Sequence, residues 1–124
     1  FKTNVISPDK KLLTDKTRSV TIPAFEGEMT ILSNHVSLIT FLRPGIIKVI
    51  DNKKIQYFVE EGTVEFNNNN LLVLTSTAEK LVELDKNKIN QILADTEKKL
   101  NDDQISDKEK YFLTYKASTL KQLS

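Results

Sequence analysis

The hydrophobic period of the chain changes once, near residue 78, and that change limits the folds open to it. From Lys2 to about Ala78 the pattern is short alternating runs between turn signals. Arg18-Ser19-Val20-Thr21-Ile22 alternates with period two and stops at Pro23. Glu28-Met29-Thr30-Ile31-Leu32 and Lys54-Ile55-Gln56-Tyr57-Phe58-Val59 repeat the alternation. Gly45 to Ile50 and Leu71 to Leu74 are apolar or β-branched enough for buried strands. Between the runs lie Ser7-Pro8-Asp9, Pro44-Gly45, Asp51-Asn52 and the four asparagines Asn67 to Asn70. These residue types preset or tolerate turn dihedrals. Strands of about five residues at such spacing predict an all-β sandwich or barrel.

Beyond residue 78 the period is helical. Val82, Ile89, Ile92, Leu93, Thr96 and Leu100 fall on one stripe, and Asn101-Asp102-Asp103-Gln104 interrupts it. Ser106 and Glu109 have capping-box spacing, the serine hydroxyl accepting the amide three residues on. Phe112, Leu113, Ala117, Leu120 and Leu123 then form a second stripe. Two helices with a short connection predict an antiparallel hairpin. The chain therefore divides at residues 1–80 and 81–124, a β-sandwich followed by a helical hairpin. A two-helix hairpin has no closed core, so its remaining apolar edge must meet the sandwich or another protein. That favours an assembly component whose tail can redock.

Composition removes several functions. At 124 residues there is room for one domain, or a small domain with an appendage. Eighteen basic residues against 17 acidic give a net charge of +1, which is no footprint for nucleic acid or a membrane surface. The absence of cysteine excludes disulfides, thiol nucleophiles and Cys-ligated zinc. One histidine cannot build a multi-histidine metal site. No apolar run approaches the roughly 20 residues that span a bilayer, so a soluble protein of a reducing compartment is expected.

Individual candidates for chemistry are weak. His35 has Ser33 and Ser37 nearby, but adjacency in the chain does not supply a nucleophile–base geometry. A turn or interface histidine is the stronger reading, and a β-sandwich hydrolase using His35 the weaker. Glu26-Gly27-Glu28 could pair carboxylates, yet it sits in a glycine turn and reads better as a solvated loop or partner contact. The doublets Lys10-Lys11 and Lys53-Lys54 lack interleaved aromatics, which argues against nucleic acid. No glycine-rich phosphate cradle exists among Gly27, Gly45 and Gly62. The aromatics of the last helix read as packing. No catalytic residue, metal site or cofactor is expected.

Several stretches in register do carry a resemblance. Ile22-Pro23-Ala24-Phe25-Glu26-Gly27-Glu28-Met29-Thr30-Ile31-Leu32-Ser33-Asn34-His35 runs on through Leu38 to Leu42-Arg43-Pro44-Gly45. It resembles the signature of the epsilon subunit of F-type ATP synthases, called delta in mitochondria. Tyr57-Phe58-Val59 with Gly62 and Val64, Leu72-Val73-Leu74 with Thr77-Ala78-Glu79, and the opening Val5-Ile6-Ser7-Pro8 are similar to further family segments. The resemblance covers essentially the whole chain. Ala24, Thr30 and Glu61 stand where the family has glycine, and Ser33 and Ser37 where it has proline.

The resemblance implies a ten-stranded sandwich plus hairpin and a non-catalytic rotor subunit of the central stalk. It would couple rotation of the c ring to the catalytic head through the gamma subunit. Position by position, Glu28 would face the c-ring loops and His35 would face gamma. The setting would be peripheral, on the cytoplasmic face of a bacterial inner membrane or the matrix side in mitochondria. In many members the hairpin rises along gamma and blocks ATP hydrolysis, meeting the beta subunit through its last helix. Here residues 79–124 hold nine Lys and nine acids, and Lys116 and Lys121 have no acid nearby in sequence, so a weak inhibitory end is expected. The alternative is an ATP-sensing module whose hairpin binds nucleotide. The matching motif is degenerate: Asp85, Lys88 and Ile89 stand where those members have Asp, Arg and Ala. Lysine has no forked guanidinium and Ile fills the space of Ala, so no nucleotide site is expected.

Overall fold

The computed structural model describes residues 1–8 and 10–123, with Lys10 described by its backbone alone. Asp9 of the Ser7-Pro8-Asp9 turn lies outside the described residues. Ten strands come first: β1 Lys2–Ser7, β2 Lys10–Lys16, β3 Ser19–Ala24, β4 Gly27–Leu32 and β5 Leu38–Leu42. β6 Gly45–Ile50, β7 Lys54–Val59, β8 Gly62–Asn67, β9 Asn70–Thr75 and the short β10 Ala78–Lys80 complete them. A single 3₁₀ turn over Leu81–Glu83 leads into α1, Lys86–Leu100, and then α2, Asp107–Leu123.

The strands hydrogen-bond in the order β10-β7-β6-β3-β5-β8-β9-β1-β2, with β4 paired to β3 off this path. Their inward side chains form one core that includes Val5 of β1, Ile47 of β6, Tyr57 of β7 and Phe66 of β8. Strands so far apart in the sheet can share a core only if the sheet curls back on itself. That is the sandwich expected from the alternation. The period-two rule holds cleanly in β6, where Gly45, Ile47 and Val49 are buried and the residues between them are not.

Turn chemistry sets the registers. The β8–β9 hairpin closes on Asn68 and Asn69 at φ 51° and 56°, between paired Asn67 and Asn70. Two consecutive left-handed residues make the turn whose twist matches the strands, and asparagine tolerates that region. Asn34 is the one other described non-glycine residue at positive φ, so Ala24 and Thr30 occupy ordinary strand positions despite the family glycines there. Gly62 is held by space: a Cβ on it would lie 2.2 Å from the Leu74 carbonyl oxygen.

The hairpin begins later than its stripe suggested. Val82 is 92 % exposed in the 3₁₀ turn, and Leu84 takes the inward position instead. Asp85 stops the extended segment by capping α1, its carboxylate accepting the Lys88 amide at 2.7 Å. At α2 the Ser106 hydroxyl accepts the Glu109 amide at 3.1 Å, the main-chain half of the expected capping box. The helices seat on the outside of the sheet through a second, smaller cluster. Phe58, Leu84, Ile89 and Leu120 are buried there, with Ile46, Ile92, Leu93 and Leu123 around them.

Candidate interaction surfaces

Strand β5 is apolar on both faces. Leu38 and Leu42 point into the core, while Ile39 and Phe41 are 76 % and 61 % exposed. Pairing places Phe41 beside Thr63, and Thr63 beside Leu74, which is itself 44 % exposed. Leu74 in turn pairs with Ile6 across the parallel β1–β9 ladder. One row up, Ile39, Glu65, Leu72 and Asn4 repeat the arrangement. The outer face of β5-β8-β9-β1 thus carries two apolar patches, Ile39 and Phe41 on β5 and Leu72 and Leu74 on β9, separated by Thr63 and Glu65 of β8. Such patches mark association surfaces.

The two residues singled out for interfaces lie at opposite ends of this region. His35 sits in the turn after β4, and Glu28 stands exposed at the start of β4. Strand β5 runs from beside the first to beside the second: Leu38 pairs Phe66, against whose ring edge His35 packs at 6.0 Å. At the other end Leu42 pairs Ala24 and the Phe25 amide donates to the Phe41 carbonyl at 2.8 Å. Five strand residues span about 14 Å, so Glu28 and His35 cannot meet in one catalytic constellation. Each serves a separate edge.

The His35 turn is braced by the asparagine hairpin. The Asn34 amide donates to Asn69 Oδ1 at 2.8 Å, and Asn69 Nδ2 donates back to Asn34 Oδ1 at 3.0 Å. The His35 Nδ1 lies 2.8 Å from the Val36 carbonyl. Among the described residues no serine or threonine is hydrogen-bonded to the ring, which is what a nucleophile–base pair would require.

The degenerate nucleotide motif is occupied by structural work. Asp85 caps α1, Lys88 Nζ pairs with Glu79 at 3.0 Å, and Ile89 is buried against Phe58. The expectation that Lys116 and Lys121 lack acids is corrected by the fold. Lys116 forms an ion pair with Glu60, and Lys121 lies 4.0 Å from Glu97 on α1. Both partners are distant in sequence, so local charge counting could not find them. A further contact joins Arg43, Phe25, Tyr111 and Tyr115 between sheet and α2. The Tyr111 hydroxyl donates to the Phe25 carbonyl at 2.6 Å. The Arg43 guanidinium lies 3.9 Å above the Tyr115 ring.

Sequence reasoning passed over the β5 face. Its signal was present: Leu38, Ile39, Phe41 and Leu42 put large apolar groups at both parities of one short strand, more than a half-buried strand needs.

Among the described residues no helix is long and apolar enough to cross a membrane, and no group of three or more metal-ligating side chains converges. Residues 1–81 match the family model described as the ATP synthase delta/epsilon chain beta-sandwich domain. The chain is 43 % identical to an ATP synthase epsilon chain of Pelagibacter ubique, with all of this chain and 97 % of that one covered. A chain of the Euglena gracilis mitochondrial ATP synthase superposes with a TM-score of 0.76 at 24 % identity, covering 98 % of this chain and 77 % of that one. One from the central stalk and c ring of the Tetrahymena thermophila enzyme gives 0.66 at 18 %, covering 98 % and 92 %. At those identities the two likenesses establish the fold alone.

Proposed function

The chain belongs to the delta/epsilon family of ATP synthase subunits, non-catalytic components of the central stalk, and on that premise we propose that it couples c-ring rotation to the catalytic head through the gamma subunit. The observation that carries this reading is the apolar face of β5-β8-β9-β1, with Ile39 and Phe41 at its centre. Gamma docks on that face, and His35 flanks it from a braced turn. Glu28, exposed at the far end of the same strand pair, faces the polar loops of the c ring. An exposed carboxylate contributes only about 0–1 kcal/mol to such a contact, but it discriminates between registers.

On this reading residues 1–80 are the gripping unit and residues 81–124 brace or regulate it. In the docked hairpin two of the four lysines of α2, Lys116 and Lys121, are engaged by Glu60 and Glu97. Any inhibition of hydrolysis through the beta subunit must open those pairs, and with no arginine in α2 to grip an acidic partner it is weak. The subunit sits peripherally at the membrane, held there by its partners. Co-purification with gamma, before and after deletion of residues 81–124, tests the division of labour. Binding should survive the deletion within about threefold; loss of binding would make the hairpin the gripping element and overturn the assignment of the sheet face.

A further inference from the structure

The hairpin and the sheet have separate cores, joined along a narrow seam. The large cluster inside the sheet is complete without either helix, whereas only Phe58, Leu84, Ile89 and Leu120 are buried in the second. Lifting the helices away would therefore expose one modest seam and leave the sandwich closed. What holds the N-terminal half of α2 against the sheet is polar and aromatic, and the one sheet-side side chain that engages two of its tyrosines is Arg43. Arg43 follows β5, and its amide donates to the Pro23 carbonyl at 3.0 Å, which anchors its backbone to the sheet. Its side chain reaches across to α2, with the guanidinium 3.9 Å over the Tyr115 ring and Nη1 3.4 Å from the Tyr111 hydroxyl. That hydroxyl donates to the Phe25 carbonyl, and the Phe25 and Tyr111 rings stack at 4.8 Å. Glu60 and Lys116 add an ion pair further along the same helix.

We propose that Arg43 latches the helical hairpin to the sheet, so that this internal contact, rather than a bound nucleotide, sets the docked population. The inference rests on reading the hairpin as a movable element. Three features support it. The chain has only two arginines, and this one uses the properties lysine lacks: a flat cation that can lie on a tyrosine face while an edge N–H donates to a second ring's hydroxyl. Arg43 and both tyrosines are half-buried, where a cation over a ring is held more strongly than in open water. The Asp85, Lys88 and Ile89 positions are engaged in a cap, an ion pair and the seam core.

The absence of cysteine allows two introduced thiols to carry spin labels uniquely. Ser118→Cys on α2 and Asn52→Cys in the β6–β7 turn are both exposed sites. Pulsed electron resonance on the full chain should give one short distance. Arg43→Ala should raise the long-distance fraction at least about fivefold, and Arg43→Lys nearly as much, because the lost forked geometry and not the charge is responsible. Tyr111→Phe, which keeps the ring and loses its hydrogen bonds, should shift it less. Addition of Mg-ATP should leave every distribution unchanged, and nucleotide-driven closure would overturn the proposal. If both Arg43 variants stay closed while Phe25→Ala with Glu60→Ala opens the hairpin, the hairpin moves but Arg43 is not its latch. If Arg43→Ala combined with both of those changes also stays closed, the hairpin is fixed and the movable reading fails as well.

Discussion

Tyr57 is fully buried in the sheet core with no hydrogen-bond partner for its hydroxyl. Burial first, and the nearby Glu83 carboxylate second, push its phenol above the ordinary value of 10.0. A raised folded value means that the folded state keeps a proton the unfolded chain releases. Stability is therefore level below about pH 10 and falls as the pH climbs beyond it. Tyr57→Phe removes an unsatisfied polar group without opening a cavity, so it should stabilise by about 1 kcal/mol at neutral pH. It should also flatten the alkaline decline, as urea unfolding at pH 7 and pH 10.5 would measure. At this scale the sequence was legible where residue type dictates dihedral. The Asn67–Asn70 turn was readable because asparagine accepts positive φ, and two of its members do so. Contacts such as Arg43 with Tyr115 or Lys116 with Glu60 were not readable, because each joins positions more than fifty residues apart.

At the scale of elements, alternation marked β3, β4 and β7 and apolar content marked β6 and β9, while β2 and β10 were among the strands that escaped, for different reasons. In β2 the register steps from Val5–Leu13 to Ile6–Lys11, leaving Leu12 as an extra residue in a bulge. Leu12 and Leu13 both pack against the core, which breaks the period-two pattern that would have announced the strand. Strand β10 has three residues and is defined by its pairing with β7 rather than by any pattern of its own. The start of α1 was misread because Val82 falls on the helical stripe by spacing but lies in a turn that ends before the Asp85 cap. Asp85→Ala should cost about 1 kcal/mol of helix stability. Calorimetry should show the lowered Tm, and Mg-ATP should raise the Tm of neither protein. A nucleotide-dependent rise in the parent that Asp85→Ala abolished would restore the ATP-sensing alternative.

For the whole molecule, the sandwich and hairpin were visible because a change of hydrophobic period survives any uncertainty about individual boundaries. The placement of the interfaces was only half visible. Glu28 and His35 could be named from the resemblance, but the apolar surface between them emerges from pairing β5, β8, β9 and β1, of which only β8 and β9 are consecutive. That surface gives the rotor reading its physical content: a curled sheet with an exposed carboxylate at one end, a braced histidine turn at the other and an unpaid apolar face between. The central claim is that this face grips gamma. The most direct measurement is the affinity of the full chain for isolated gamma, comparing the parent with the outward-facing double variant Ile39→Asp, Phe41→Asp. Because both side chains point away from the core, the variant should keep its fold and lose about 2 kcal/mol or more of binding, roughly thirtyfold in Kd. An unchanged Kd in a folded variant would contradict the account and move the gamma contact elsewhere on the molecule.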